Sequence, residues 1–332
     1  MSFKFAVIGG GAWGTAIAIF LARLENSSVI IWAQEKEVVK EINQENKNSY
    51  FLKNIDLKKN IYATDKLSEA IAPYIFYVTP AQNFRETITK QKKYIHESNE
   101  IIICSKGIEI SSGNLLSEIV DNILPDINYY ILSGPSFAHE VANNKPAALA
   151  IASKNIENSL RVSTYISNKN FRLYPSDDVI GVQLGGAIKN VYAISSGIVS
   201  GLNYGENASA ALLTRAISEM VRISISLGGK KESIFGLSGV GDILLTCTSK
   251  LSRNYSLGVS IGKGDKIEQI ISSKNTIAEG YFTTKAIYNL VQNSDVDTPI
   301  LNSVYNILYN NASPINEANR LLKRPIKNRE FY

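Results

Sequence analysis

A glycine-rich loop near the start of the chain constrains its fold more than any other feature. Residues 9–14 read Gly-Gly-Gly-Ala-Trp-Gly and fit the pattern G-x-G-x-x-G, between a strand-like apolar run and a helical pattern that begins at Thr15. Gly9 allows the tight turn, Gly11 allows a phosphate to approach the backbone, and Gly14 allows the helix to pack closely on the strand. The free N–H groups and the dipole of the helix favour an anion. The loop therefore predicts a binding site for the pyrophosphate of a dinucleotide.

Strand-like and helical segments alternate through the first half of the chain. The strand-like runs are Phe3–Gly9, Ser28–Ala33, Ile75–Thr79, Glu100–Ser105, Asn128–Ser133, Ala147–Ala152 and Phe171–Tyr174. The amphipathic segments between them include Thr15–Leu24, Lys36–Glu45 and Leu115–Ile123. This alternation predicts a mostly parallel, doubly wound sheet of the Rossmann type. From about Val179 onward the spacing of apolar residues is helical. We therefore expect an α/β dinucleotide-binding domain over residues 1–177 and an all-helical substrate domain over residues 178–332.

The length and composition fit a two-domain globular protein. The chain has 332 residues, of which 45% are hydrophobic and 20% charged, about twice the length of a usual domain of ~150 residues. Its 35 basic and 30 acidic residues give a net charge of +5. This scattered excess suits a small anionic substrate but lacks the dense basic stripe of a nucleic-acid-binding protein. We expect no nucleic-acid partner.

The cysteines and the apolar stretches bear on the cellular compartment of the protein. Two cysteines, Cys104 and Cys247, are too few for a disulfide framework or a metal site and favour a reducing compartment. The first residues lack the basic leader and the long apolar region of a signal peptide. The least polar stretch, residues 191–202, is too short to span a bilayer. We expect a cytoplasmic protein with no membrane span and no metal.

The end of the second predicted strand bears on the choice of cofactor. The strand ends Trp-Ala-Gln-Glu, with Gln34 and Glu35 where the adenosine ribose should lie. An acidic residue there accepts hydrogen bonds from the ribose 2′-hydroxyl of NAD and repels the 2′-phosphate of NADP. Glu35 fits equally well as a solvated acid at a helix N-terminus. The sequence favours NAD and leaves NADP open.

The sequence favours a lysine over a histidine as the proton-transfer residue. Neither of the two histidines, His96 and His139, is paired by the sequence with a carboxylate or a nucleophile. Four segments place glycine beside a reactive group: residues 105–107, 133–138, 185–190 and 239–242. The first two follow strands, where ligands bind in open α/β sheets. Lys189 lies within an apolar helical stretch, where its amine either reaches a cleft or extends to solvent.

An ordered series of motifs resembles NAD(P)-dependent glycerol-3-phosphate dehydrogenase. The motifs extend from near Gly9 to near Lys285 and cover most of the chain. They are Gly-Ala-Trp-Gly-Thr (11–15), Ser-Lys-Gly-Ile-Glu (105–109), Ser-Gly-Pro-Ser (133–136), Gly-Gly-Ala-Ile-Lys-Asn (185–190), Asn-Tyr-Gly-Glu-Asn-Ala (203–208), Gly-Val-Gly-Asp (239–242), Cys-Thr-Ser (247–249), Ser-Arg-Asn (252–254) and Glu-Gly-Tyr (279–281).

The resemblance implies an oxidoreductase, usually a homodimer. It would interconvert sn-glycerol 3-phosphate with NAD(P)+ and dihydroxyacetone phosphate with NAD(P)H, and so supply glycerophospholipid synthesis. It implies proton transfer by Lys189. The implied substrate-binding residues are Lys106, Gly134, Ser136, Lys189, Asp242, Ser252, Arg253 and Asn254. The implied cofactor-binding residues, taken with the glycine loop and the second strand, are Gly9, Gly11, Ala12, Trp13, Gly14, Gln34, Glu35, Lys106, Ala138, Arg253, Ile277 and Glu279. No basic residue stands at Gln34 or Glu35, where many members have one.

The chemistry of these residues suits the implied reaction. Oxidation removes a hydride from C2 and a proton from its hydroxyl, and Lys189 accepts that proton only when its amine is neutral. Burial and nearby cations favour the neutral amine, whereas Asp242 favours the charged one. Arg253 offers a planar fork for a dianionic phosphate. The other interpretation of residues 252–254 is a helix cap with an exposed arginine.

Two other functions are compatible with this architecture. One is a lysine-dependent reductase of a 2-keto acid such as ketopantoate. The other is a dinucleotide-binding protein without hydride transfer. Arg253 and its neighbours together with Lys106 favour recognition of a phosphate over that of a carboxylate alone. A non-catalytic protein should have lost the lysine or the arginine, and both are present.

Overall fold

The computed structural model describes residues 3–272 and 278–325 of the chain. Their contacts group into two units. Unit 1 comprises Met1–Lys106 and Asn114–Val182, and unit 2 comprises Gly107–Gly113 and Gln183–Tyr332. The segment 107–113, which the sequence analysis places in the first domain, thus belongs to unit 2. We describe each unit by itself.

Unit 1 contains one eight-stranded sheet. The strands in chain order are β1 (Phe5–Ile8), β2 (Val29–Trp32), β3 (Ile61–Thr64), β4 (Tyr74–Tyr77), β5 (Glu100–Ile103), β6 (Asn128–Ser133), β7 (Ala147–Ala152) and β8 (Phe171–Ser176). Their order across the sheet is β3-β2-β1-β4-β5-β6-β7-β8. All neighbouring strands are parallel except β6 and β7. Because β1 pairs with both β2 and β4, the winding reverses there, and ligands bind at such a switch point beyond the strands' carboxyl ends.

Helices cover both faces of this sheet. They are α1 (Ala12–Leu21), α2 (Lys36–Glu45), α3 (Ala81–Gln91), α4 (Leu116–Ile123), α5 (Ala138–Ala142) and α6 (Ile156–Ile166), with a 3₁₀ turn at Lys92–Tyr94. Phe5 and Val7 of β1 pack into the apolar cluster on one face, while Ala6 and Ile8 pack into the cluster on the other. A strand buried on both faces must be apolar at every position, as β1 is.

The predicted α/β fold is confirmed, with two local corrections. Strand β3, Ile61–Thr64, at the sheet edge, is absent from the predicted strands, because its sequence Ile-Tyr-Ala-Thr has a single aliphatic side chain larger than alanine and so lacks the apolar run seen in β1, β2 and β5. Helix α1 begins at Ala12 instead of Thr15, so the last residues of the glycine loop already form the first helical turn.

Unit 2 is helical, as predicted. Its helices are α7 (Val179–Gly201), whose first four residues belong to unit 1, and α8 (Glu206–Ser226), α9 (Lys231–Phe235), α10 (Asp242–Cys247), α11 (Arg253–Gly262), α12 (Ile267–Ser272), α13 (Glu279–Val291), α14 (Pro299–Tyr309) and α15 (Pro314–Leu322), with a π-helical turn at Leu237–Gly241. Helices α7 and α11 cross closely at glycines. A Cβ at Gly197 would lie 2.1 Å from the carbonyl oxygen of Tyr255.

Within the described residues, no helix is long and apolar enough to cross a membrane.

A fully buried carboxylate joins three helices of unit 2. Glu219 of α8 is 0% exposed, and it accepts hydrogen bonds from the N–H groups of Ile300 and Leu301 at the start of α14. The hydroxyl of Tyr192, on α7, lies 3.3 Å from the same carboxylate. Burial raises the pKa of Glu219 to about 7. Its carboxylate therefore caps α14 while its charge remains poorly solvated.

The raised pKa of Glu219 makes the stability of unit 2 depend on pH. An acid whose folded pKa is raised contributes stability that is fully present below its unfolded pKa and lost as the pH rises through about 7. The free energy of unfolding should therefore fall by about 3 kcal/mol between pH 4.5 and pH 7 from this group. We expect the Glu219→Gln variant to lose that dependence in denaturant titrations, and the exposed control Glu206→Gln to keep it. An unchanged pH dependence in Glu219→Gln would contradict this assignment.

Candidate active site

The glycine loop of unit 1 has the geometry expected of a phosphate cradle. Gly9 adopts a φ of +127°, a conformation that side chains disfavour. A Cβ at Gly14 would lie 1.8 Å from the carbonyl oxygen of Gly9, so only glycine lets α1 pack this closely on the loop. At Gly11 the space is open, since no heavy atom lies within 4 Å of the position of a Cβ. The loop is tightly packed at Gly14, where only glycine fits, and has free space at Gly11, where a ligand would approach.

Three predicted cofactor residues pack on the same cluster beside the cradle. Ala12 and Trp13 form the first turn of α1, and Ala138 is the first residue of α5. All three pack, partly buried, against the apolar cluster on one face of the sheet. Helices α1 and α5 pack against each other, so these three residues lie on adjoining helices of unit 1.

Buried polar atoms at the carboxyl ends of the strands fit a dinucleotide. Within the described residues, Trp13 Nε1, Thr79 Oγ1 and Ser133 Oγ are buried and have no hydrogen-bond partner. Thr79 follows β4, and Ser133 ends β6. Buried polar groups are nearly always hydrogen-bonded in the functional state of a protein. Together with the open cradle at Gly11, these atoms are compatible with a bound nicotinamide dinucleotide.

Gln34 and Glu35 lie exposed after β2. Glu35 is the N-cap residue of α2, but its side chain makes no capping hydrogen bond there. The neighbouring Trp32 donates its indole N–H to the carbonyl of Asp65, 3.1 Å away. The Glu35 carboxylate therefore extends beyond the strand without serving the helix terminus.

Three predicted substrate residues of unit 1 meet at one carbonyl. Lys106 Nζ and Ser136 Oγ each donate a hydrogen bond to the carbonyl oxygen of Gly134, and both distances are 3.0 Å. Gly134 has a φ of +149°, and a Cβ there would lie 2.9 Å from Leu149 Cα. These bonds hold an ammonium and a hydroxyl side by side after β5 and β6.

Lys189 and Asp242 form a buried ion pair in unit 2. Lys189 Nζ lies 2.5 Å from Asp242 Oδ1 and 2.9 Å from Thr246 Oγ1. The Thr246 hydroxyl also lies 3.2 Å from Asp242 Oδ1. Lys189 is 8% exposed and Asp242 1% exposed. The amine therefore does not extend to solvent, and two oxygen atoms fix its direction.

The backbone around this pair is arranged by close packing. Gly185 lies one helical turn before Lys189 on α7, and a Cβ there would lie 2.8 Å from the carbonyl oxygen of Ser238. That contact sets the π-helical turn directly against α7. Asp242 follows the turn as the first residue of α10, where the helix dipole favours its negative charge. The glycine thus places the aspartate opposite the lysine.

The Ser-Arg-Asn segment begins α11 and has structural roles in addition to its predicted one. Ser252 is the N-cap residue and accepts a hydrogen bond from the N–H of Tyr255. Asn254 is buried, donates to Asn190 Oδ1 at 2.9 Å, and accepts from the N–H of Gly280 at 2.8 Å. Both capping and cross-linking therefore hold this segment in place.

The remaining predicted residues lie at helix starts or outside the described part. Arg253 is exposed on the first turn of α11, and Glu279 is the first residue of α13. Ile277 lies outside the described residues, as does the end of the chain after Pro325.

The cysteines and histidines do not form a reactive cluster. Cys104 and Cys247 are buried, and burial raises the pKa of the Cys247 thiol to about 12. Both histidines are exposed, and His139 contacts the amide of Asn143. Among the residues that the structure describes, no group of three histidine, cysteine, aspartate or glutamate side chains could hold a metal ion.

Sequence analysis alone missed three side chains in these clusters. Thr246 contacts both members of the ion pair, Asn190 receives the amide of Asn254, and Asn48 binds the glycine loop. Thr246 adjoins the motif at 247–249 and Asn190 is the last residue of the motif at 185–190, which was the available signal. Asn48 had no such signal in the sequence.

Two family models match the chain in sequence. The model of the N-terminus of NAD-dependent glycerol-3-phosphate dehydrogenase matches residues 4–159, and the model of its C-terminus matches residues 178–319. Together they cover most of the chain, including both the glycine loop and the buried ion pair.

Full-length relatives and a solved structure agree with this match. Glycerol-3-phosphate dehydrogenase [NAD(P)+] of Novosphingobium aromaticivorans is 40% identical, and that of Erythrobacter litoralis is 41% identical, each over 98% of both chains. The crystal structure of glycerol-3-phosphate dehydrogenase from Coxiella burnetii is 35% identical, with a TM-score of 0.92 over 97% of this chain and 99% of that one. The chain therefore belongs to the NAD-dependent glycerol-3-phosphate dehydrogenase family, whose members are oxidoreductases.

Proposed function

We propose that this protein interconverts sn-glycerol 3-phosphate and dihydroxyacetone phosphate with NAD as the preferred cofactor and Lys189 as the proton-transfer residue. The observation that carries the proposal is the buried contact of Lys189 with Asp242 and Thr246. A lysine held this way is directed by its neighbours and is shielded from bulk water.

The glycine loop and its surroundings would hold the cofactor. The open cradle at Gly11 and the first turn of α1, with Ala12 and Trp13, would bind the pyrophosphate, and Ala138 packs beside them. When bound, the nicotinamide supplies the hydride acceptor for C2 in oxidation and the hydride donor in reduction. We assign Lys106, Arg253, Ile277 and Glu279 to the cofactor on the family resemblance alone.

Lys189 would manage the proton of the C2 hydroxyl. In oxidation its neutral amine accepts that proton, and the ammonium that results is stabilised by the Asp242 carboxylate. In reduction the ammonium polarises the ketone oxygen and then protonates it. The Thr246 hydroxyl, which contacts both groups, keeps the amine aligned while its charge changes.

Cationic and small polar groups would bind the phosphate and the hydroxyls of the substrate. Lys106 and Ser136 are held by the carbonyl of Gly134, and Arg253 presents an exposed guanidinium at the start of α11. The Asn254 amide makes two bonds to the protein and has one further N–H donor. Ser252 completes the proposed set as the helix cap.

The substrate distinguishes this proposal from the other functions open to the sequence. Both halves of the chain match one dehydrogenase family, which favours the phosphorylated triose over a 2-keto acid such as ketopantoate. The buried lysine pair favours catalysis over cofactor binding alone. We further propose a cytoplasmic homodimer that supplies glycerophospholipid synthesis.

The test follows oxidation of NADH and NADPH in parallel with dihydroxyacetone phosphate as substrate. We expect NADH to give the higher kcat/KM, because the exposed Glu35 carboxylate would repel the 2′-phosphate of NADPH. The Glu35→Arg variant should raise the relative use of NADPH about tenfold, and Glu37→Arg, an exposed control on the same helix, should leave it unchanged. A higher kcat/KM with NADPH in the unaltered protein would contradict the preference for NAD.

A further inference from the structure

Asn48 is a fully buried side chain beside the glycine loop. It lies in the connection after α2 and is 0% exposed. Its Nδ2 lies 2.8 Å from the carbonyl oxygen of Gly10 and 2.7 Å from Thr15 Oγ1. Its Oδ1 accepts a hydrogen bond from the N–H of Phe51 at 3.3 Å. Because the oxygen is bound to an N–H, the orientation of the amide is determined, and its NH2 group faces the loop.

The Gly10 carbonyl is held by two hydrogen-bond donors. It accepts from Asn48 and, at 3.3 Å, from the hydroxyl of Thr15 on α1. Two donors on one carbonyl oxygen fill both of its lone pairs. The peptide between Gly10 and Gly11 therefore cannot rotate without losing both bonds.

Fixing this carbonyl fixes the direction of the next N–H. In a planar trans peptide the C=O of Gly10 and the N–H of Gly11 point in opposite directions. The Gly11 N–H therefore points away from Asn48. Among the described residues, no acceptor is hydrogen-bonded to this N–H. The space at Gly11 is open, so this donor and the start of α1 face the same free region.

We infer that Asn48 is a positioning residue that holds the Gly10–Gly11 peptide so that the Gly11 N–H donates to the pyrophosphate of the bound cofactor. The inference rests on the proposed function, since it requires a dinucleotide on the loop. Asn48 acts through the backbone and touches no reacting atom. Its loss should therefore weaken cofactor binding and leave the chemistry at Lys189 intact.

The test measures the Kd for NADH by fluorescence titration without substrate, with the thermal midpoint of each variant recorded. We expect Asn48→Ala to raise the Kd about tenfold, since a backbone donor to an anion is lost. The control is Asn60→Ala, in the same unit, whose amide also donates to two backbone carbonyls, those of Ala22 and Ser27. It should change the Kd by less than about twofold. The kcat of Asn48→Ala at saturating NADH should stay near that of the unaltered protein.

A second variant covers the case in which Asn48→Ala does not fold. Thr15→Val keeps the shape of the side chain but removes the weaker of the two donors to Gly10 together with the oxygen that accepts from Asn48 Nδ2, so its Kd for NADH should rise about threefold. An unchanged Kd for NADH in folded Asn48→Ala would overturn the inference. If only Thr15→Val folds, an unchanged Kd in that variant would overturn it. In either case, NADH binding by the unaltered protein would leave the proposed function standing. Failure of the unaltered protein to bind NADH or NADPH would overturn both.

Discussion

The Lys189→Ala variant is expected to lose about 10³-fold in kcat for the reduction of dihydroxyacetone phosphate. The substitution removes the proposed proton donor, and its neighbours Asp242 and Thr246 are an acceptor and a hydroxyl. Neither supplies a cation to polarise the ketone. The Kd for NADH should change little, because the glycine loop belongs to unit 1 and Lys189 to unit 2.

A loss of turnover in Lys189→Ala must be separated from a loss of folding. Removing the lysine takes the paired cation away from the buried carboxylate of Asp242, and breaking a buried ion pair from one side typically costs about 3–5 kcal/mol of stability. The double variant Lys189→Ala with Asp242→Asn removes both charges and should regain much of that stability. Turnover should remain as low as in the single variant. A double variant with restored turnover would show that the defect was one of folding.

The Arg253→Ala variant is expected to raise the KM for dihydroxyacetone phosphate about tenfold to a hundredfold. A charged hydrogen bond to a phosphate contributes about 1.5–3 kcal/mol, which corresponds to about tenfold to a hundredfold in affinity. At saturating NADH, the kcat/KM for unphosphorylated dihydroxyacetone should be almost unaffected, since that substrate lacks the phosphate that Arg253 is proposed to bind.

Arg324→Ala provides a matched control for the loss of a cation. Arg324 is also exposed in unit 2, and it pairs with Asp297. The Arg324→Ala substitution should leave the KM for dihydroxyacetone phosphate and the kcat/KM for dihydroxyacetone unchanged. If Arg253→Ala also had a normal KM for the phosphorylated substrate, Arg253 would be only the exposed first residue of a capped helix.

The sequence was sufficient to predict the fold class and the family, because both depend on local signals. The glycine loop lies between a strand and a helix, and the change from alternating to helical spacing near Val179 coincides with the start of α7. Strand β3 escaped prediction because its sequence, Ile-Tyr-Ala-Thr, lacks the continuous run of aliphatic side chains that marks β1, β2 and β5. The assignment of residues 107–113 to unit 2 depends on contacts that no local pattern contains.

The contacts within the candidate site were harder to predict, because they join distant parts of the chain. Lys189 and Thr246 are 57 residues apart, and Asn48 and Gly10 are 38 residues apart. Only the close packing of helices on their neighbours brings such pairs together, as at Gly185. The sequence predicted that Lys189 would be functional, and the structure adds that Asp242 and Thr246 direct its amine.

Chemical rescue of Lys189→Ala tests most directly whether this amine transfers the proton. The substitution leaves a space that a small primary amine can enter from solution, so ethylamine should restore kcat for dihydroxyacetone phosphate about tenfold or more over the unrescued variant, while ethanol of similar size should not. The rescue should increase with the concentration of ethylammonium, since reduction uses the protonated amine as the donor. A kcat for folded, NADH-binding Lys189→Ala that lies within about tenfold of the unaltered protein without any amine would contradict the account.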